Sequence, residues 1–275
     1  MATILYGSPT FILRKEAEKD LFAVTAKLAA LGYNGVELLG FFGKKPAEIR
    51  AGFAASGIAA MGDHVPIKDF LSDPGKVINE HLEAGCKYLT IAHQEGQFKP
   101  GASEWLAMLD DMRSLIGKCR AAGITPLYHN HGWDVRAEPD GASYAGTLLD
   151  ALVKDGLCFE PDLGWMVYSS ACPADYLRRY REACKVLHLK DVYADDYARV
   201  TRAPGDVKRD PSNGGFEFRP TGYGTVNFPQ LMPLCLACDP EWLIIDHDLS
   251  YERDPYADMK LSLDYVKNLV QITGR

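Results

Sequence analysis

The stretch Leu127–Asp134, LYHNHGWD, carries the pattern that decides the fold. It closes a short apolar run that begins at Ile124 and predicts a buried β-strand, and it passes directly into polar residues. Because side chains alternate between the two faces of a strand, His129 and His131 point to one face and Asn130 to the other. Two imidazoles on one face are a pair of ligands or acid/base groups, or two core histidines satisfied by backbone carbonyls.

The same unit recurs along the chain: an amphipathic helix, a stop signal, and a short apolar strand that ends in polar residues. The helix predicted over residues 16–31 has Leu21, Val24 and Leu28 on one face and ends at Gly32, where a residue that tolerates positive φ is favoured. Eight such strands are predicted, at residues 4–6, 35–40, 58–64, 87–93, 124–128, 157–162, 186–191 and 242–248. This α/β pattern predicts a parallel sheet closed as a (β/α)8 TIM barrel, in one domain spanning residues 1–275.

An open, doubly wound sheet would show the same alternation of strands and helices. Such a sheet usually carries a glycine-rich phosphate loop after its first strand. Residues 7–10 are Gly-Ser-Pro-Thr and contain no GxGxxG motif. We therefore favour the closed barrel.

Composition argues against several classes of protein. The 275 residues are 47% hydrophobic and 24% charged, as in ordinary globular proteins. A formal net charge of −7 without a stripe of Lys or Arg argues against a nucleic-acid partner. No basic segment followed by an apolar core is found at the N-terminus, and no run of about 18 apolar residues occurs, so we expect a cytoplasmic protein without a membrane segment. The seven cysteines lack the spacing of a disulfide framework, and the CxxC at Cys235–Cys238 is interpreted as part of a buried helix.

Polar residues collect at the predicted C-terminal ends of the strands. Six of the seven histidines lie there, namely His64, His93, His129, His131, His188 and His247. Acidic residues and a lysine lie at the same level, namely Glu37, Asp162, Lys190, Asp191, Asp246 and Asp248. Since the loops after the strand C-termini build the active site of such a barrel, we expect these side chains to form one polar floor.

Alternation along strands five to eight allows one side chain from each to point towards a common position, namely His129, Asp162, His188 and Asp246. Glu160 shares the face of Asp162, and Lys190 shares the face of His188. Imidazole nitrogens and carboxylate oxygens together suit a divalent ion such as Mn²⁺, Co²⁺, Mg²⁺ or Zn²⁺. The alternative is a hydrogen-bonded charge network that fills the barrel mouth.

Six segments, spread over nearly the whole chain, resemble one family of barrels. They are Tyr33–Leu39, Tyr128–Asp134, Glu160–Val167, Val186–Val192, Gly222–Phe228 and Leu243–Asp248. In these segments the sequence resembles the sugar phosphate isomerase/epimerase group of xylose-isomerase-like TIM barrels, which also includes inosose dehydratases, 3-dehydroshikimate dehydratases and endonuclease IV.

The resemblance implies a divalent metal at the ends of strands five to eight, with Mn²⁺ favoured. The implied ligands are His129, Asp162, His188 and Asp246. Many members of the group have glutamate where His129 stands, so Asp134 is an alternative ligand from strand five and a candidate catalytic residue. His131 matches a position that is used as a base in some members, and Lys190 matches an active-site lysine.

The shared chemistry that the resemblance implies is removal of a proton α to a carbonyl, through an enediolate. We therefore predict, ahead of the alternatives below, that the protein is a metal-dependent isomerase or epimerase of a sugar or keto-sugar. Candidate substrate-binding residues are Glu37, His64, His93, Trp165, Arg219 and Asp248. The alternative role for Glu37 is that of a structural acid in the barrel interior. The alternative role for Trp165 is packing against other side chains, without contact to a substrate.

Three alternatives remain open from the sequence. The nearest is a dehydratase or lyase that acts on a keto-sugar or keto-cyclitol, including β-elimination from a 3-keto-glycoside. The others are an endonuclease and a carbohydrate-binding barrel without activity. The connection at residues 192–227 is predicted to be a lid over the barrel mouth. A homo-oligomer is possible, as dimer or tetramer.

Overall fold

The computed structural model describes residues 3–92, 98–200 and 210–274. Nine strands form one sheet: β1 (Leu5–Pro9), β2 (Gly35–Leu38), β3 (Ala59–Pro66), β4 (Tyr88–Ala92), β5 (Thr125–His129), β6 (Cys158–Glu160), β7 (Val186–Tyr193), β8 (Glu217–Arg219) and β9 (Trp242–Asp246). Their order is β6-β5-β4-β3-β2-β1-β9-β7-β8. Apart from β8, which is antiparallel to β7, all pairs are parallel.

The barrel closes between β6 and β7. Parallel bridges join Phe159 to Cys184 and Asp162 to His188 across this gap. The closed (β/α)8 barrel predicted from the sequence is therefore confirmed, with all eight predicted strands in place. The second bridge also sets two candidate ligands side by side.

Eleven α-helices accompany the sheet in the described ranges: α1 (Arg14–Leu31), α2 (Pro46–Ser56), α3 (Ile67–Ser72), α4 (Pro74–Ala84), α5 (Ser103–Ala121), α6 (Gly132–Val135), α7 (Tyr144–Leu152), α8 (Leu163–Tyr168), α9 (Pro173–Arg179), α10 (Phe228–Ala237) and α11 (Pro255–Thr273). The stop at Gly32 is confirmed, because this residue takes φ of 100° at the end of α1. Asp73 caps α4 by accepting a hydrogen bond from the Lys76 amide at 3.0 Å. Among the described residues, no helix combines the length and apolar character needed to span a membrane.

The inside of the barrel is apolar below and polar above. Its lower part is filled by Met61, Tyr88, Leu127, Val186, Trp242 and Ile244. Gly35 leaves room for this packing, since a Cβ there would lie only 2.4 Å from the Trp242 ring. Directly above, the same inward-facing positions carry histidines and carboxylates. This layering places the polar floor at the C-terminal ends of the strands.

The connection after strand seven is partly built into the sheet rather than being a plain loop. Strand β7 continues to Tyr193, two residues beyond its predicted end, and pairs there with β8. The carboxylate of Asp191 accepts hydrogen bonds from the amides of Gly222, Gly224 and Val226 at 2.8–3.0 Å. The later half of the connection is thus fixed to the barrel. Its central residues, including Arg202, Lys208 and Arg209, lie outside the described ranges, and its role as a lid stays a prediction.

We expect Asp191→Asn to lower the free energy of unfolding by about 2–4 kcal/mol, because an amide group would turn N–H donors towards backbone N–H groups. The carboxylate is fully buried and also accepts from the Val192 amide, so in the variant two of the four donors would face an NH2 group and the other two would keep only a neutral acceptor. Urea denaturation of the two proteins measures the difference. The exposed Asp111 of α5 provides the control, since Asp111→Asn should change stability by less than about 0.5 kcal/mol. Equal midpoints for Asp191→Asn and the parent would contradict this account of the loop.

Candidate metal and acid/base site

A cavity of about 330 Å³ opens at the C-terminal ends of the strands. Its volume is at the lower end of the roughly 300–1,000 Å³ that is usual for small-molecule sites. Nine of the candidate residues line it: Glu37, His64, His129, His131, Trp165, His188, Lys190, Asp246 and Asp248. The rest of the wall is mainly apolar and includes Phe11, Leu39 and Pro66. Polar groups and apolar wall therefore enclose one volume of the size of a small ligand.

Lys190 lies among three carboxylates, which we call the carboxylate trio: Asp162, Asp246 and Asp248. Its ammonium nitrogen is 3.2 Å from Asp162 Oδ2, 2.9 Å from Asp246 Oδ2 and 2.9 Å from Asp248 Oδ1. Burial acts to lower the pKa of Lys190, but the trio outweighs it and holds this pKa well above its usual value. The side chain is therefore a fixed positive charge at the cavity wall.

Next to this trio, four residues form what we call the histidine cage: His64, His129, Glu160 and His188. One candidate ligand atom from each lies within 4.8 Å of the others. Glu160 is central, because its oxygens lie 3.4 Å from His64 Nε2, 3.6 Å from His129 Nδ1 and 3.4 Å from His188 Nε2. Glu37 adjoins the cage, with its carboxylate oxygens 3.1 Å from His64 Nε2 and 2.9 Å from His188 Nε2.

Several of these atoms are buried and form no hydrogen bond within the described part of the chain. They are Glu37 Oε1, His64 Nε2, His129 Nδ1, Glu160 Oε1 and His188 Nε2. Buried polar atoms nearly always have a partner, so these converging donor atoms are suited to share a cation. Three imidazoles and two carboxylates are also ligands that divalent ions accept. The donor set therefore fits a divalent metal.

The metal-free alternative is also visible in the same contacts. Burial acts to lower the pKa of His64, but Glu37 and Glu160 raise it to about 10. A proton on His64 would then neutralise part of the carboxylate charge in place of an ion. This arrangement is the charge network that the sequence left open.

The four ligands proposed from the sequence do not form a single group. Asp162, His188 and Asp246 come together, and His129 lies between the two sets, with Nε2 3.8 Å from Asp162 Oδ2 and Nδ1 3.6 Å from Glu160 Oε2. Sequence reasoning missed His64 and Glu160 as possible ligands. Both could have been found from strand alternation, since Glu160 precedes Asp162 by two residues and His64 lies near the end of an inward-facing strand.

Asp134 does not reach the cavity, which is a correction to its roles as ligand and catalytic residue. The short helix α6 begins directly after His131 and turns Asp134 back towards β5. There its carboxylate accepts hydrogen bonds from Tyr128 Oη at 2.6 Å and from the His131 amide at 2.9 Å. Burial raises the pKa of Asp134 to about 8. Its contacts make it a residue that positions the backbone of His131.

His131 itself lines the cavity, as predicted for a base. Its ring centroid lies 5.0 Å from that of His129 and 6.1 Å from that of Trp165. Burial, with the positive charge of Lys190, lowers the pKa of His131 to about 3. The imidazole is therefore neutral, and in this environment it is a weaker proton acceptor than a histidine in water.

One substrate-binding candidate, Arg219, is not placed at the cavity. Arg219 pairs with Glu217 on β8 and lies with its guanidinium 5.1 Å from the ring centroid of Tyr193, away from the cavity wall. The extra strand β8 explains this, because it holds Arg219 in the sheet instead of in a free loop. His93 lies outside the described residues.

Comparison with known proteins addresses the fold and part of the function. No family profile matches the chain. A sugar phosphate isomerase/epimerase from Parabacteroides distasonis ATCC 8503 superposes with a TM-score of 0.76, at 17% identity and with 97% of each chain covered. A xylose isomerase-like TIM barrel protein from Mycobacterium smegmatis, solved in complex with magnesium, gives 0.68 at 14% identity, with 98% of each chain covered. The chain therefore has the fold of the xylose-isomerase-like TIM barrels.

One curated relative of this xylose-isomerase-like barrel extends over most of its length. The inosose dehydratase of Geobacillus kaustophilus (strain HTA426) is 23% identical over 271 residues, which cover 90% of this chain and 86% of the relative. The relatives thus include an enzyme named as a dehydratase and a structure named as an isomerase or epimerase. The resemblance seen in the sequence is confirmed for the fold, and the reaction class remains to be argued from the site.

Proposed function

We propose that this xylose-isomerase-like barrel is a divalent-metal-dependent dehydratase of a keto-cyclitol or keto-sugar. It would remove the proton α to the carbonyl and expel a hydroxyl group from the β-carbon. The observation that carries the proposal is the cavity itself, where a neutral imidazole, a buried ammonium group and a cation-binding donor set face one small volume. The relative named inosose dehydratase supports elimination over the isomerisation that the sequence analysis placed first.

His131 is proposed as the base. Its ring lines the cavity beside Trp165, and its backbone amide is held by the carboxylate of Asp134. A side chain that is fixed through its own main chain keeps its direction when a proton arrives on the ring. A positioned imidazole typically contributes about 10²–10⁴-fold to proton transfer.

Lys190 is proposed to stabilise the negative charge that develops on the carbonyl oxygen. Its ammonium group is fixed by the carboxylate trio and needs no reorganisation during the reaction. A divalent ion bound at these strand ends would polarise the carbonyl and make the α-proton more acidic. Apolar side chains, including Phe11, Leu39 and Pro66, line the same cavity as Lys190, and apolar surroundings strengthen the interaction between opposite charges.

Binding of the substrate is assigned to the remaining polar groups of the wall. Asp248 and Glu37 offer carboxylate oxygens to hydroxyl groups, and the Trp165 ring offers an apolar face to the ring of a cyclitol or sugar. Both acidic groups are at least partly free to accept donors from a ligand, because Glu37 Oε1 has no hydrogen bond and Asp248 contacts Lys190 through Oδ1.

Isomerisation or epimerisation is the second candidate, since it begins with the same proton transfer and differs in where the proton returns. The structure named as a sugar phosphate isomerase/epimerase favours it. Incubation in D₂O with Mn²⁺ or Co²⁺ separates the two. The substrates tested are an inosose, a keto-sugar and a 3-keto-glycoside, and the masses of the products are measured. We expect the inosose to give a product that is lighter by one water molecule.

Other products in this experiment would assign a different reaction. A product of unchanged composition that carries deuterium would replace the dehydratase by an isomerase or epimerase. Loss of an aglycone from the 3-keto-glycoside would mark a lyase of glycosides. Neither deuterium uptake nor mass loss, in protein loaded with metal, would contradict both candidates.

A further inference from the structure

We infer that the divalent ion is bound by the histidine cage, through His64, His129, Glu160 and His188, so that His64 and Glu160 replace Asp162 and Asp246 of the set that the sequence predicts. The inference deepens the proposed function, because it concerns the ion that this function requires. It is tested by metal binding alone, so its failure can be told apart from failure of the proposed reaction.

The two nitrogens of His188 have different partners. Nδ1 donates to Asp246 Oδ2 at 3.3 Å, whereas Nε2 points into the cage, where it lies 2.9 Å from Glu37 Oε2 and 3.4 Å from Glu160 Oε1 without hydrogen-bond geometry. Histidines that bind metals usually donate their second N–H to a carboxylate, which fixes the tautomer and the ring direction. Asp246 therefore has the position of the orienting carboxylate, and Nε2 has that of the ligand.

The two carboxylate oxygens of Glu160 also differ, because one accepts a hydrogen bond and the other does not. Its Oε2 accepts a hydrogen bond from Thr90 Oγ1 at 3.0 Å, and its Oε1 has no hydrogen bond although the residue is fully buried. An isolated buried carboxylate is costly unless a cation or several donors neutralise it. A cation in the cage satisfies this free oxygen and the carboxylate charge together.

The three imidazoles of the cage are too close to one another for all to carry protons. The ring centroid of His129 lies 4.5 Å from that of His188 and 5.0 Å from that of His64. The ring centroids of His64 and His188 are 6.1 Å apart. Like charges at such distances inside a protein repel each other strongly. Neutral rings with their lone pairs turned towards one cation avoid this repulsion.

The position predicted from the sequence, by contrast, already has a cation beside it. The ammonium group of Lys190 contacts Asp162 and Asp246 at 3.2 and 2.9 Å. A divalent ion at those carboxylates would have to displace a lysine that is only 3% exposed, or remain beside its charge. Among the described residues, no lysine or arginine forms an ion pair with the carboxylate of the cage.

The cage also differs in chemistry from a site made mostly of carboxylates. Three nitrogens and one oxygen favour Zn²⁺ and Co²⁺ over Mg²⁺, which prefers an all-oxygen shell. The ion expected from the cage is therefore a transition metal, whereas the resemblance alone favoured Mn²⁺.

Titration of metal-free protein with Co²⁺, followed by visible absorption and calorimetry, tests the inference. We expect roughly one Co²⁺ per chain, with an affinity that His64→Gln and Glu160→Gln each lower by at least about 100-fold and with an altered spectrum. The matched outer variant, Asp162→Asn, keeps its oxygen for capping α8 and should lower the affinity less than about tenfold with an unchanged spectrum.

The opposite pattern, in which Asp162→Asn abolishes binding and His64→Gln leaves affinity and spectrum unchanged, would overturn the inference in favour of the sequence-predicted ligands. Failure of the parent protein to bind either Co²⁺ or Zn²⁺ would overturn it in favour of the proton-held network. His64 is 18% exposed, so His64→Gln is expected to fold even if the fully buried Glu160 does not tolerate change. Metal in the cage without turnover would contradict the reaction but not the inference.

Discussion

Replacing His131 with alanine is expected to lower kcat by about 10²–10⁴-fold, the usual contribution of a positioned general base. The affinity for Co²⁺ should stay within a few-fold of the parent value, because His131 belongs to neither group of candidate ligand atoms. Steady-state kinetics with the substrate found by product analysis measures the first quantity, and calorimetry measures the second. Loss of activity with metal binding intact identifies a group that acts on the substrate.

Two companion variants make this result specific. His131→Gln keeps a polar side chain of similar size but cannot accept the proton, so it should be as inactive as alanine. Asp134→Asn should cost less, about tenfold or below, because it disturbs only the groups that hold the His131 backbone. Rates within threefold of the parent for both His131 variants would exclude this residue as the base. A parallel collapse of metal affinity would show that it is a ligand.

The sequence predicted the barrel well because its signals are local. Each strand is an apolar run, and helix ends such as Gly32 and Asp73 carry their own capping chemistry. The extra strand β8 was missed because its three residues gain their structure only by pairing with the far end of β7. Arg219 was therefore expected in a free loop, and the pairing places it in the sheet.

The site was predicted in its residues but not in their arrangement. Alternation along a strand gives the face of a side chain, not which of two nitrogens it turns to a neighbour. His188 shows this, because one nitrogen contacts Asp246 and the other enters the cage. Asp134 shows a second limit, since the four-residue helix α6 reverses its direction within one turn. Contacts of this kind depend on residues far apart in the chain.

Replacement of Lys190 with methionine is expected to have effects of opposite sign on turnover and on metal binding. Loss of the ammonium group should lower kcat by about 10²–10³-fold, as for removal of one group that stabilises an oxyanion. The affinity for Co²⁺ should rise by roughly tenfold or more, because one positive charge near the bound ion is removed. Kinetics and calorimetry on the same preparation measure both.

The same replacement should also make the fold depend on metal. In the chelated protein, three carboxylates that share one counter-ion would lose it, at a cost of about 3–5 kcal/mol in the free energy of unfolding. Divalent ion should restore part of this loss, since it returns positive charge to the same end of the barrel, and it should therefore stabilise Lys190→Met more than the parent. Lys260→Met is the control, because the exposed Lys260–Asp264 pair should contribute less than about 1 kcal/mol. Equal stability of Lys190→Met and the parent in the presence of chelator would mean that the trio is neutralised by protons and not by Lys190.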